Sequence, residues 1–297
     1  MPCWGPITAY HPPATSEDRR LVFKKERAGT GVAIKVPCGR CSGCRLEHSR
    51  QWAVRCMHEK RLHNASAFLT LTYNDDNIPS GNSLSKRDLQ LFLKRTRKEL
   101  GSGLRFFACG EYGETTARPH YHVLLLSNSF TDLTSHRLLN ENKLYTSKTL
   151  AKLWPVGHHM IGDVTFESAA YVARYCMKKI TGKKAETHYN GRQPEFITMS
   201  RKPGLGTGYF DKYYNELLNH DAIIVNGHPA ALPRFYDGKI NELLPDDKIG
   251  LYTRAELIKI KRRRKITKAQ RLDNTSARLR VRELVSEAKL KLKKRTL

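Results

Sequence analysis

The sequence predicts an α+β fold: an antiparallel sheet of the ferredoxin-like, split βαβ type with its helices on one face, followed by a basic tail that is helical or disordered. The main observation is the order of the patterned segments, which is strand, helix, strand, strand, helix, strand, helix. A second observation is the shift to a basic composition from Leu251 onward. We expect three domains: a cysteine-rich segment with a basic helix at 1–65, the sheet domain at 66–245 and the tail at 246–297.

The overall charge predicts a polyanionic partner. The 297 residues include 53 lysines and arginines against 28 acidic residues, a formal net charge of +25. This excess is larger than solubility requires and favours nucleic acid over an anionic membrane. No apolar run approaches the ~20 residues of a membrane-spanning helix, and no signal peptide is predicted at the start. The seven cysteines are therefore expected to be reduced or to bind metal, not to form a disulfide framework.

The N-terminal segment contains three cysteines at a spacing of three, Cys38, Cys41 and Cys44. Three thiolates and one histidine can bind zinc tetrahedrally, so these cysteines and His48 are candidate zinc ligands, with Cys3 as another candidate for the fourth position. The second Cys-x-x-Cys pair that usually completes such a site is missing. A turn whose small residues pack against the next helix remains an alternative. That helix is predicted over 42–62, with basic side chains suited to phosphate contact: Arg45, Arg50, Arg55, Lys60 and Arg61.

The sheet domain is predicted element by element. An alternating run of apolar and β-branched residues over 67–73 is typical of a strand. The Ser85-x-x-Asp88 pattern indicates a capped amphipathic helix after it. A second strand over 105–111 is followed by turn-rich sequence and a strand that starts at Pro119. Beyond a polar connection, the later elements are expected at 147–154 (helix), 160–166 (strand), 168–179 (helix capped by Ser168), 195–199 (strand) and 207–218 (helix).

The strand after Pro119 carries two histidines that flank one bulky residue, His120 and His122. Side chains alternate along a strand, so both histidines point to one face, with Cα atoms roughly 6.6 Å apart. A hairpin with the preceding strand can bring Glu111 beside them. The three residues are therefore candidate metal ligands, although two histidines that line a polar groove remain the simpler interpretation of this motif alone.

The helix predicted over 168–179 carries two tyrosines four residues apart, Tyr171 and Tyr175, which therefore share a face. Lys178 and Lys179 follow on or near that face. A metal triad, two tyrosine hydroxyls and adjacent lysines together provide the groups needed to attack a phosphodiester.

These motifs resemble the HUH endonucleases, and more closely the replication initiation proteins of small single-stranded DNA bacterial viruses of the gokushovirus type. The resemblance extends from about Val36 to Asp237. It rests on the His120–His122 strand, the tyrosine helix and further segments: 36–45, 49–53, 69–73, 110–114, 164–171 and 199–204.

The resemblance implies a rolling-circle replication initiator. Tyr171 or Tyr175 is expected to attack the viral origin, which leaves a 5′-phosphotyrosine and a free 3′-OH. The protein is later expected to rejoin the DNA ends and release circular single-stranded DNA. Glu111, His120 and His122 are expected to hold Mg²⁺ or Mn²⁺. Lys179 is expected to stabilise phosphate charge, and Lys178 to bind DNA. The implied partners are origin DNA, a host helicase and the host replication machinery, in the bacterial cytoplasm.

Other classes of function stay open at this point. The same chemistry serves plasmid relaxases and transposases of the HUH kind, and the cysteines with the charge also fit a non-enzymatic, zinc-dependent DNA-binding protein. No Walker A motif is present, so a fused helicase is not supported. From Leu251 onward there are 17 lysines and arginines against four acids. The densest run includes Arg262, Arg263 and Arg264 and is predicted to attract DNA without sequence preference, the alternative being a merely solvated tail.

Overall fold

A computed structural model describes most of the chain, in two compact units. The described residues are 3–18, 20–113, 115–139, 142–174, 180, 182–243, 248–249, 252–253 and 272–292. The units are Met1–His48 with Lys259–Arg295, and Ser49–Ile258 with Thr296–Leu297. Within the described ranges, no helix has both the length and the apolar character needed to cross a bilayer.

The elements are numbered in chain order. The strands are β1 (Ile7–Ala9), β2 (Ile34–Val36), β3 (Ala67–Tyr73), β4 (Phe106–Tyr112), β5 (Pro119–Leu125), β6 (Leu133–Leu139), β7 (Asn142–Ser147), β8 (Gly157–Gly162), β9 (Phe196–Met199), β10 (Ile223–Val225), β11 (His228–Ala230), β12 (Lys248–Ile249) and β13 (Tyr252–Thr253). The helices are α1 (Ser42–Lys60), α2 (Lys86–Leu100), α3 (Lys148–Leu153), α4 (Phe166–Arg174), α5 (Lys183–Tyr189), α6 (Thr207–His220), α7 (Arg234–Leu243) and α8 (Ser276–Leu292).

The second unit is organised around a seven-stranded antiparallel sheet with the strand order β6-β7-β8-β3-β5-β4-β9. Helix α2 connects β3 to β4, which have β5 between them. Helix α3 lies on the connection from β5 to β8, which have β3 between them. Two connections of this kind are the arrangement of a split βαβ sheet, consistent with the predicted α+β fold.

One face of this sheet packs against the two connecting helices. Tyr121, Val123 and Leu125 of β5 are buried in the same cluster as Phe92 of α2 and Trp154, which follows α3. Trp154 meets the rings of Tyr121 and Phe92 edge-on, with centroids 5.7 and 6.0 Å away. Helix α2 begins as predicted, because the Ser85 side chain accepts the N–H of Asp88.

The opposite face is covered too, so the prediction of helices on one face only is wrong. Phe107 of β4 and Leu124 of β5 are buried against Ala53 of α1 and Val172 of α4. The reason lies in the paired strands β4 and β5, whose residues are almost all buried. A strand whose consecutive residues are buried has to be covered on both sides.

Two further predictions about the sheet are wrong. The polar connection before α3 forms the β6–β7 hairpin at the sheet edge, where Leu133 is exposed, so no apolar pattern marked it. The strand predicted at 160–166 is β8, which begins at Gly157 and ends at Gly162. A Cβ atom at Gly157 would lie 2.0 Å from the carbonyl oxygen of Thr72. Close strand pairing therefore requires glycine there, a residue that otherwise disfavours strands.

The predicted strand at 195–199 and helix at 207–218 are confirmed as β9 and α6. Phe210 and Leu217 of α6 are buried with Tyr236 and Ile240 of α7, and Tyr209 packs against the same cluster. Tyr214 of the same helix is 39% exposed and is not part of this cluster.

The first unit contains the paired strands β1 and β2, the first residues of α1 and the C-terminal helix α8. Arg282 of α8 lies over the Trp4 ring, 5.4 Å from its centroid. Leu279 on the same helix is buried. The described part of the predicted basic tail is thus largely helical.

Candidate active site

The predicted hairpin is formed by β4 and β5, and it brings the candidate metal ligands together. Glu111 is the direct cross-strand neighbour of His120, and Cys109 is the neighbour of His122. These side chains project from the sheet face that packs against α4. Pro119 is the first residue of β5, as expected for a residue without an N–H group.

Glu111 bridges the two histidines. Its Oε1 atom lies 2.8 Å from Nε2 of His120 and 2.8 Å from Nε2 of His122. One donor atom from each of the three residues lies within 4.8 Å of the other two. The shared face of the two histidines is therefore confirmed, and so is the approach of Glu111, which is only 2% exposed.

The hydrogen bonds behind the histidines favour a cation at this site. Nδ1 of His120 lies 3.1 Å from the carbonyl oxygen of Arg118, which can only accept, so Nδ1 carries a proton. Nε2 of a neutral ring then directs a lone pair at the Glu111 carboxylate. Such a contact is favourable only with a proton or a metal ion between the two atoms, and a backbone carbonyl behind the ring is common for metal-binding histidines. Nδ1 of His122 is held in turn by the Thr70 hydroxyl at 3.1 Å.

The donor set fits a hard divalent ion. Mg²⁺ holds ligand atoms at about 2.1 Å and at right angles, which places neighbouring ligand atoms roughly 3 Å apart. The two distances of 2.8 Å from Glu111 Oε1 are close to that separation. One carboxylate with two imidazoles also suits Mn²⁺. Glu111, His120 and His122 would together hold one such ion.

The pKa of Glu111 is lowered to about 2. Burial alone would raise this pKa, but hydrogen bonds and charge interactions with His120 and His122 outweigh the burial. The stability that the carboxylate contributes is fully present above its ordinary pKa of 4.5 and is lost as the pH falls toward 2. Glu111 is thus an anion, ready to bind a metal ion, at any pH near neutrality.

Of the two tyrosines predicted as nucleophiles, Tyr171 lies within the described residues, and it lies at this site. Its hydroxyl is 3.5 Å from Glu111 Oε1, and its ring meets the His122 ring edge-on, with centroids 5.2 Å apart. Helix α4 is tied to α1 by a hydrogen bond of 2.9 Å from the Ser49 hydroxyl to the Ala170 carbonyl. These contacts direct the tyrosine hydroxyl toward the histidine strand.

Helix α4 begins earlier than predicted, so Ser168 is not its N-cap. The Ser168 N–H donates to the Thr165 hydroxyl at 3.1 Å, and the Thr165 N–H donates to the Ser168 hydroxyl at 2.9 Å. Thr165 is therefore the capping residue, and Ser168 completes a reciprocal capping box three residues later. The apolar and β-branched residues Val164-Thr165-Phe166 favour a strand by pattern alone, so the sequence predicts the N-cap three residues too late.

Several predicted site residues lie outside the described residues and stay predictions. From the tyrosine helix these are Tyr175, Lys178 and Lys179, and from the tail they are Arg262, Arg263 and Arg264.

Two basic residues that were expected to contact phosphates instead contact other residues of the protein. The guanidinium group of Arg55 lies between the Trp52 and Phe235 rings, 4.1 and 3.8 Å from their centroids, and burial lowers its pKa. The Lys60 ammonium group donates to the Val164 carbonyl. Neither residue is free to bind DNA in this arrangement.

The cysteine cluster forms, with a different fourth member. The sulfur atoms of Cys3, Cys38, Cys41 and Cys44 all lie within 4.8 Å of one another, and His48 is not part of this group. The pairing of β1 with β2 brings the N-terminal segment back to Cys38, whose N–H donates to the Cys3 sulfur at 3.3 Å. Cys3 therefore takes the place that the sequence assigned first to His48.

Comparison with known proteins places the chain among viral replication proteins. Residues 66–180 match the family model described as replication-associated protein ORF2/G2P. The replication-associated protein VP4 of Bdellovibrio phage phiMH2K is 34% identical over 230 residues, which cover 73% of this chain and 71% of VP4. ORF2 of Spiroplasma virus 4 is 32% identical over 235 residues, with 73% and 71% covered. ORF4 of Chlamydia phage 1 is 29% identical over 225 residues, with 72% and 56% covered. No solved structure matches the chain.

The sheet presents a carboxylate and two histidines to a helical tyrosine. Together with the relatives, this arrangement identifies the chain as a phage replication-associated protein. The chain belongs to the ORF2/G2P family of replication-associated proteins and is a replication initiator of the gokushovirus type, as the sequence motifs indicated.

Proposed function

We propose that this protein starts rolling-circle replication as an HUH-type endonuclease, by nicking one strand of the viral origin. The observation that carries the proposal is the position of the Tyr171 hydroxyl, 3.5 Å from the carboxylate that bridges His120 and His122. A split βαβ sheet with both histidines on a central strand supports the same class. The family assignment favours an initiator over a relaxase or a transposase.

In the proposed reaction the Tyr171 oxygen attacks the scissile phosphorus. The new tyrosine–phosphorus bond forms as the bond from phosphorus to the 3′ oxygen breaks, which leaves a 5′-phosphotyrosine and a free 3′-OH. A divalent ion held by Glu111, His120 and His122 would polarise the phosphate as a Lewis acid. Glu111 orients the tyrosine hydroxyl; the phenol proton passes to solvent, and the leaving 3′ oxygen takes up a proton from solvent. Lys179 and Lys178 would offset the phosphate charge.

The phosphotyrosine preserves the energy of the broken bond, so rejoining requires no ATP. Tyr175 would attack the regenerated origin after one round of synthesis, and the new 3′-OH would then release the first end as a closed circle. Duplex unwinding and synthesis would depend on a host helicase and the host replication machinery, in the bacterial cytoplasm.

The proposal predicts a covalent adduct with defined polarity. The protein is incubated with Mn²⁺ and a single-stranded origin oligonucleotide labelled at either end. A 3′-end label should move with the protein in a denaturing gel, while a 5′-end label should appear on a shorter oligonucleotide that a polymerase extends. Cleavage without any adduct would contradict tyrosine attack. Binding without cleavage would favour a non-enzymatic DNA-binding protein.

The basic run near the C-terminus is predicted to act on all DNA alike. In the test, Arg262, Arg263 and Arg264 are replaced by glutamine. Unlike a deletion of the tail, this substitution retains helix α8, whose Leu279 is buried. We expect weaker binding to origin and scrambled oligonucleotides by the same factor, and a salt dependence whose slope falls by roughly two to three. Arg20→Gln, at an exposed arginine already paired with Asp18, is the control. Loss of origin preference at an unchanged slope would contradict this role.

A further inference from the structure

We propose that Cys3, Cys38, Cys41 and Cys44 bind one structural zinc ion as four thiolates. All four residues belong to the first compact unit, whereas the proposed nicking site lies in the second. The zinc site is therefore independent of the proposed nicking reaction and adds a second metal with a different chemical role.

The distances between the sulfur atoms fit a single tetrahedral ion. Zinc bonds to sulfur are about 2.3 Å long, so the sulfurs of a tetrahedral site lie roughly 3.8 Å apart. The sulfurs of Cys38 and Cys44 are 4.0 Å apart, and the whole set lies within 4.8 Å. A disulfide is excluded, since its sulfurs are about 2.05 Å apart and all four cysteines are free.

Backbone amides directed at the sulfurs indicate that the loops are built around thiolates. The N–H groups of Cys41 and Cys44 donate to the sulfurs of Cys38 and Cys41, both at 3.4 Å. The N–H groups of Cys38 and Trp4 donate to the sulfurs of Cys3 and Cys41, at 3.3 and 3.4 Å. Neutral thiols are weak acceptors, so a turn that only packed its cysteines would gain little from four such contacts. Outer hydrogen bonds of this kind support metal-bound thiolates.

The start of α1 contributes to the same environment. Cys41 immediately precedes the helix, and Cys44 lies in its first turn. The N-terminus of a helix carries a partial positive charge that favours thiolates. A site closed by four sulfurs leaves no open position for a substrate, which is the mark of a structural zinc and not a catalytic one.

The choice of zinc over an iron–sulfur cluster follows from the same distances. In a cluster of several irons the cysteines bind different metal atoms and are spread apart, whereas these four sulfurs converge on one point. The ion would join Cys3 to Cys38, 35 residues further along the chain, and hold both at the start of α1. Zinc binding would thus contribute directly to the folding of the first unit.

The test starts from full-length protein, purified under reducing conditions and dialysed. Metal analysis should find about one zinc per chain, and Co²⁺ exchange should give the visible spectrum of tetrahedral cobalt with an intense thiolate charge-transfer band. Cys3→Ser should weaken zinc retention against a chelator and reduce that band, because one thiolate is lost. His48→Ala and Cys109→Ala, which change residues outside the cluster, should retain wild-type zinc.

Each alternative gives a different result. Zinc-free protein with all thiols titratable would overturn the proposal in favour of a packing turn. Zinc retained in Cys3→Ser but lost in His48→Ala would overturn the assignment of the fourth ligand, and iron in place of zinc would overturn the metal. Glu111→Gln should retain the zinc whether or not it forms a DNA adduct, so failure of this proposal and failure of the nicking mechanism are separately observable.

Discussion

Replacing His120 or His122 by alanine is expected to lower the rate of adduct formation on an origin oligonucleotide by about a thousandfold or more. Each histidine supplies one of the three donor atoms of the candidate metal site, and both imidazoles lie 2.8 Å from the third, Glu111 Oε1. A bound ion contributes several kcal/mol of charge stabilisation in phosphoryl transfer, and each ~1.4 kcal/mol is a factor of ten in rate. Single-turnover adduct formation, measured at saturating protein across a Mn²⁺ titration, gives the size of the effect.

A DNA-binding measurement distinguishes a variant that has lost the metal ion from a variant that has not folded. Both variants should bind the oligonucleotide nearly as well as the wild type, because the basic residues are unchanged. His228→Ala, which removes an exposed histidine of the β10–β11 hairpin, is the matched control and should form adduct at the wild-type rate. Adduct formation by the His120→Ala, His122→Ala double variant at the wild-type rate in a chelator would rule out this metal site.

Replacing both Tyr171 and Tyr175 by phenylalanine is expected to eliminate the adduct, whereas either single replacement should leave one nucleophile. Phenylalanine keeps the edge-on contact between residue 171 and His122 and removes only the hydroxyl. If the helix continues as the sequence predicts, four residues correspond to roughly 6 Å along its axis, and a small shift of the DNA would suffice for the second tyrosine to act at the same ion. Each single variant should form an adduct on a short oligonucleotide, and neither should sustain repeated release of circles.

Peptide mapping tests the alternation directly. After several turnovers, the wild type should carry label on both Tyr171 and Tyr175. Tyr214→Phe, at a partly exposed tyrosine of α6, should behave as the wild type in the same assay. Label on one tyrosine alone, with full circle release by the phenylalanine variant of the other, would show that a single nucleophile is sufficient.

The core of the fold and the metal triad could be predicted because their signals are local. Strand β3 alternates regularly, and the Ser85 cap marks the start of α2. Glu111, His120 and His122 lie on one hairpin, so alternation along the strands and a single turn sufficed to bring them together. The strand pattern did not place a tyrosine at this site; the resemblance to the HUH endonucleases implied it, and the Tyr171 hydroxyl lies 3.5 Å from Glu111.

The missed features depend on contacts between distant parts of the chain or on polar segments. Thr70, which holds His122, is 52 residues away from it in sequence, and strand register alone places it there. Cys3 joins the cysteine cluster across 35 residues with no spacing motif to mark it. The β6–β7 hairpin is mostly polar and lies at the sheet edge, so its sequence carries no apolar strand pattern. The second covered face of the sheet was indicated by the four consecutive apolar residues at 106–109 of β4, which an alternating pattern does not explain.

The metal ligands and the proposed nucleophile come from separate stretches of chain. Glu111 and His122 are 11 residues apart, and Tyr171 reaches Glu111 from 60 residues further on. The two parts can therefore change separately, because a substitution in one stretch does not alter the residues of the other. Evolution can add or remove a tyrosine on α4, or lengthen the chain between the hairpin and the helix, without rebuilding the ion site. An insertion of one residue between His120 and His122 has no such tolerance, because it would turn one histidine to the opposite face of the sheet.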